Sequence, residues 1–95
     1  MKNGPIAPET THVWLECNVL LKSSKDVKIE IKLQDDSVTT ISVHPTLIVE
    51  KNEKNYVKVE SLANKNKLVY IKLPNPSMQH GHNITVSEKS IIRKI

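Results

Sequence analysis

The sequence predicts an all-β domain of six to eight short, mostly antiparallel strands, arranged as a small barrel or a two-layer sandwich. Three observations carry that reading. Apolar residues recur at every second position through most of the chain, the signature of strands with one buried face. Polar clusters rich in Ser, Asn, Asp and Pro separate the alternating runs and supply turn chemistry. No segment sustains an i, i+3, i+4, i+7 apolar stripe, so no amphipathic helix is expected. The 95 residues suffice for one core and not two, and Val, Ile and Leu fill 28 positions, making that core aliphatic.

Residues 1–10 contain Gly4, Pro5 and Pro8 with little apolar content and read as an extended N-terminal arm, leaving 11–95 as the single β domain. Val13, Leu15, Cys17, Val19 and Leu21 alternate with Trp14, Glu16, Asn18 and Leu20, predicting a first strand with the former set inward. Lys22–Asp26 is a polar turn. Val27, Ile29, Ile31 and Leu33 define a second strand, Gln34–Ser37 a hairpin connection, and Thr39, Ile41 and Val43 a third strand. Pro45 ends that strand because it cannot donate to a ladder. Leu47–Glu50 reads as a short strand or a single turn, followed by the polar run Lys51–Asn55. Val57 and Val59 mark the next strand, Asn64–Asn66 a turn, and Val69, Ile71 and Leu73 another strand. Pro74–His82 reads as the longest loop, and mobile. Ile84 and Val86 then point inward from a further strand, and Ile91-Ile92 begins a last short one.

An internal echo runs through this pattern. Ile31-Lys32-Leu33, Ile41-Ser42-Val43 and Leu47–Lys51 correspond to Ile71-Lys72-Leu73, Ile84-Thr85-Val86 and Ile91–Lys94, each set preceded by a further alternating strand. The echo suggests two related three-stranded halves. In general style this succession of hairpins resembles small barrels of the SH3 or Sm kind, and no diagnostic motif assigns it to either family.

Composition excludes several classes of function. The longest uninterrupted apolar run is four residues, Leu68–Ile71, too short for a membrane-spanning helix or the apolar stretch of a signal peptide. With a single cysteine, Cys17, no internal disulfide can form, which points to a cytoplasmic or virion-associated protein. The chain has only two glycines, Gly4 and Gly81, and lacks a Gly-rich phosphate loop, a nucleophile elbow, HExxH and CxxC. No cofactor is implied, and the reading is of a non-enzymatic protein. The net charge of +4 conceals an asymmetry: residues 1–50 carry five Lys against seven acids, whereas residues 51–95 carry eight Lys and Arg93 against three. Only one of the fourteen cations is Arg, so anions would be met by point charges and not by planar bidentate forks.

Four sets of residues stand out. Trp14, the only tryptophan, falls by alternation on the face opposite Val13 and Leu15. There it either covers a second small core with Leu20 or serves as an exposed anchor for a protein partner. Tyr56, Lys58, Tyr70 and Lys72 fall on the outer face of one hairpin, with Lys65 and Lys67 at its turn. Such a face suits base stacking and phosphate neutralisation on RNA or single-stranded DNA, and equally a solvated sheet surface. His80 and His82 have the spacing at which two imidazoles on an extended segment share a metal, but no nearby Cys or carboxylate completes a ligand set. Asn83-Ile84-Thr85 fits the glycosylation pattern with nothing else to indicate secretion. The leading expectation is a small interaction module, an adaptor, inhibitor or assembly component, that binds a protein through a sheet edge or the Trp14 patch. Sequence-independent nucleic-acid binding is the alternative, and a structural subunit of a self-assembling particle the third. No membrane partner is expected.

Overall fold

The computed structural model describes residues 11–94, so the expected N-terminal arm lies outside the described residues. The described chain is all-β. Its strands are β1 (Thr11–Lys22), β2 (Val27–Lys32), β3 (Val38–Val43), β4 (Ile48–Lys51), β5 (Lys54–Lys65), β6 (Leu68–Ser77), β7 (Gly81–Ser87) and β8 (Ile91–Ile92). Two single 3₁₀ turns, Pro45–Leu47 and Glu88–Ser90, precede β4 and β8. All pairings are antiparallel and run in the order β3-β2-β1-β5-β6-β7, with β4 added beside β5 and β8 beside β1. The sheet curls into a half-barrel. No helix among the described residues is long and apolar enough to cross a membrane.

The concave side is the core. Val13, Leu15 and Cys17 of β1 meet Val27, Ile29 and Ile31 of β2, Ile41 and Val43 of β3, Val57 and Val59 of β5, Val69, Ile71 and Leu73 of β6, and Ile84 and Val86 of β7. These are the residues that alternation places inward. Burying each such aliphatic side chain stabilises the fold by about 1.5–3 kcal/mol. Cys17 behaves as one of them, and burial, with Glu16 adding to it, pushes its thiol up to about 12.

The sheet is built as two copies of one plan. Each half has the order strand, strand, strand, 3₁₀ turn, short strand, four strands and not the three that the echo suggests. The 3₁₀ turns match in detail. His44 caps the first through its side chain to the Thr46 amide, and Ser87 caps the second to the Lys89 amide. Ile48 and Ile91 end them with nearly the same backbone angles. Each half's last strand then pairs with the other half's first, Ile48 with Val57 and Ile91 with Leu15. Leu15 and Val57 pair with each other and so sit on the local two-fold axis. Register breaks also recur, between Val19 and Leu21 and between Ser61 and Ala63. Counted from these bulges, Ile29 and Ile31 correspond to Ile71 and Leu73 (Val19↔Ile29 matching Ser61↔Ile71). The sequence echo is therefore offset by two residues in this strand.

Several local expectations are corrected. The first bulge reverses the strand phase, so Leu21, expected inward, is 68% exposed. The segment Pro74–His82 is not a long loop: β6 continues through Pro74 and Pro76 to Ser77, and only Met78–His80 forms a turn before β7. The polar run after β4 is a two-residue hairpin turn, Asn52-Glu53, and the turn expected at Asn64–Asn66 lies at Asn66-Lys67. All four turn residues have φ between 53° and 66°, the left-handed pair that matches hairpin twist. At the β2–β3 connection Asp36 also has positive φ. There Asp35 accepts hydrogen bonds from the Ser37 side chain and amide, which hold its carboxyl below the usual range.

The ends of the curled sheet meet across two equivalent seams. At one, the Gln34 amide donates to the Thr85 carbonyl at 3.0 Å. At the other, the corresponding residue is Pro76, which has no N–H. The Asn75 side-chain amide takes over, donating to the Ser42 carbonyl at 2.6 Å. Buried Thr39 adds a bond from its hydroxyl to Gln79 Oε1 at 3.0 Å. The outer edges of β3 and β7 are thus partly engaged instead of lying fully open.

Candidate functional site

The convex face over the β1–β5 ladder carries the largest rings. Two rows of outward residues cross it: Ile92, Trp14 and Lys58, then Glu16, Tyr56 and Val49. The two-fold axis passes between these rows, making Trp14 the counterpart of Tyr56 and Lys58 the counterpart of Glu16. Trp14, Ile92 and Val49 are half-buried. Trp14 is thus neither an isolated exposed anchor nor part of a second core with Leu20, which is 49% exposed. With Ile92 of β8 beside it, it forms a partly open apolar patch that adjoins the row of Tyr56 and Val49. Glu16 lies 3.6 Å from Lys54 across the rim, an exposed ion pair of small energetic weight.

Tyr56 corrects the expected stacking platform. Alternation assigns its face properly, but between Glu16 of β1 and Val49 of β4 its side chain is only 9% exposed. Tyr70 is 37% exposed and lies opposite Ala63, seven positions along β5 from Tyr56, or roughly 20 Å at the rise of an extended strand. The two tyrosines therefore do not form one stacking surface. Lys58, Lys65, Lys67 and Lys72 are exposed, but Lys72 pairs across the strands with Glu60, which dilutes the positive face. Lys65 and Lys67 flank Asn66 at the hairpin tip, where the Lys67 carbonyl accepts from the Glu88 amide at 3.0 Å.

The structure separates the two neighbouring histidines. His80 lies in the turn, its amide donating to Ser77 Oγ, and lines a cleft with Asp35 and Asn83. His82 stands on β7 with Nδ1 3.2 Å from the Leu73 carbonyl. A carbonyl only accepts, so Nδ1 carries the hydrogen there. His82 belongs to a different cavity. No cluster of three or more His, Cys, Asp or Glu suited to a metal occurs among the described residues.

That second cavity is a notch of about 440 Å³ lined in part by His12, Lys58, Glu60, Lys72, Pro74 and His82. It arises from strand lengths. Along one side of β5, pairing with β4 ends at Val57 and pairing with β6 begins at Glu60. Among the described residues, no strand lies beside Lys58 and Val59 there. Sequence reasoning identified Lys58 and Lys72 but not their association with His12 and His82, because the notch depends on where two separate strands stop.

No family model, curated protein or solved structure matches the chain.

Proposed function

We propose that the protein is a non-enzymatic β interaction module that binds another protein through the convex patch around Trp14. The observation that carries this reading is the partial exposure of the only tryptophan, beside Ile92 in an apolar patch that Lys58 and Glu16 border. A large ring with apolar neighbours and charges at the margin is the usual anatomy of an interface anchor. The seams favour this patch over strand addition, since Ser42 and Thr85 at the sheet ends already hold hydrogen bonds. The solitary, buried Cys17 suits a reducing compartment, and we place the module in the cytoplasm or in a virion-associated assembly.

Affinity capture from the native source, with and without nuclease, tests this reading when wild type and Trp14→Ser are compared as baits. The expected result is a stoichiometric protein retained by wild type after nuclease treatment and lost by Trp14→Ser, with both baits folded by circular dichroism. Capture that disappears with nuclease would instead support nucleic-acid binding through Lys58, Tyr70 and Lys72. Large homogeneous particles in light scattering of the protein alone would support self-assembly.

A further inference from the structure

We propose that the notch between β4 and β6 binds a compact, multiply charged oxyanion of the phosphate class. Four nitrogen-bearing side chains from four strands line it: His12 from β1, Lys58 from β5, Lys72 from β6 and His82 from β7, with β6 also contributing Pro74. Among the described residues Glu60 is the one carboxylate that lines it, so the two ammonium groups there outnumber the acid even with both imidazoles neutral. Protonation of either imidazole adds to the excess.

Size selects the ligand class. The unpaired stretch of β5 is two residues long, roughly 7 Å, too short for an added peptide strand but adequate for a phosphate or pyrophosphate group. Lys provides point-charge attraction without imposing a planar geometry, which suits a tetrahedral group. The other half of the molecule supplies an internal contrast. By the same pairings, the counterparts of Lys58 and Lys72 are Glu16 and Glu30. One scaffold feature thus carries ammonium groups in one half and carboxylates in the other, while the apolar positions beneath stay aliphatic. Core packing does not require that difference, because these side chains point away from the core.

The test is a titration of the full-length, ¹⁵N-labelled protein with sodium pyrophosphate at constant ionic strength, followed by amide shifts. Saturable shifts confined to the neighbourhood of Lys58, Val59, Leu73 and His82 are expected. Lys58→Glu with Lys72→Glu, which copies the opposite half, should weaken binding by at least about tenfold. Lys58→Gln with Lys72→Gln serves if that variant fails to fold. Lys25→Glu with Lys89→Glu makes the same change in net charge away from the notch and should stay within about threefold of wild type. A nucleoside diphosphate titrated in parallel distinguishes a free oxyanion from one carried on a larger molecule. Shifts that never saturate, or equal losses in the notch variants and the Lys25/Lys89 variant, would overturn the proposal. The titration involves no protein partner, so its failure would leave the Trp14 reading standing.

Discussion

The two halves of this protein share a scaffold and differ in what they display on it. Val27 and Val69, Ile29 and Ile71, Ile41 and Ile84, and Val43 and Val86 occupy matching inward positions with the same residue. Outward positions diverge: Trp14 against Tyr56, Glu16 against Lys58, Glu30 against Lys72. Packing constrains the first set, since an interior at crystal-like density registers each methylene. Nothing comparable constrains the second, and there the halves have acquired opposite charge. The difference teaches where to look for function: a feature that the fold demands appears twice, whereas one that appears once has another cause.

The comparison can be tested first at the axis. Leu15 and Val57 pair there and both are fully buried. Leu15→Ala should cost about 2–5 kcal/mol, and Val57→Ala about 2 kcal/mol because it deletes less volume. Urea unfolding measures both, and a negligible loss at either position would break the shared-core description. The hairpin turns give a smaller effect of opposite sign. Glu53 and Lys67 are second residues of two hairpin turns of the same kind, one joining the halves and one within the second half, with positive φ, a conformation that costs a side-chain-bearing residue about 1–2 kcal/mol. Glycine at either position should raise stability by on the order of 0.5–1 kcal/mol after its greater unfolded-state entropy is counted. Thermal melting should show similar gains from the two substitutions. The smallest effect is expected at Cys17, whose counterpart in the other half is Val59. Cys17→Val should change stability by less than about 1 kcal/mol. In the wild type, a thiol pushed up to about 12 should resist alkylation at neutral pH until the protein is unfolded.

Much of the fold was legible because strand phase is a local property. Ile29, Ile31, Ile71, Ile84 and their neighbours declare an inward face through alternation alone. Leu20 and Leu62 do not announce that they are extra residues at bulges, so the phase after Leu20 is not legible. The echo falls two residues out of step for a different reason: Ile31-Lys32-Leu33 resembles Ile71-Lys72-Leu73 more closely than the true counterpart Ile29-Glu30-Ile31 does. The continuation of β6 through Pro74 and Pro76 was hidden for a related reason. Proline argues against a paired strand, but here one seam has Asn75 donating in place of a backbone amide. The outer surface was only half legible. Alternation gave the correct face for Trp14, Tyr56 and Tyr70, but exposure depends on the side chains that long-range pairing sets beside each ring. Tyr56, between Glu16 and Val49, is covered, while its counterpart Trp14, between Lys58 and Ile92, remains partly open.

That contrast makes the single tryptophan the best probe of the central claim. Acrylamide quenching of Trp14 fluorescence should be compared in the isolated protein and in its complex with the captured partner. Substantial quenching in the free protein and marked protection in the complex are the predicted result. Equal quenching in both states, or an indole already shielded in the free protein, would contradict the assignment of the Trp14 patch as the docking surface.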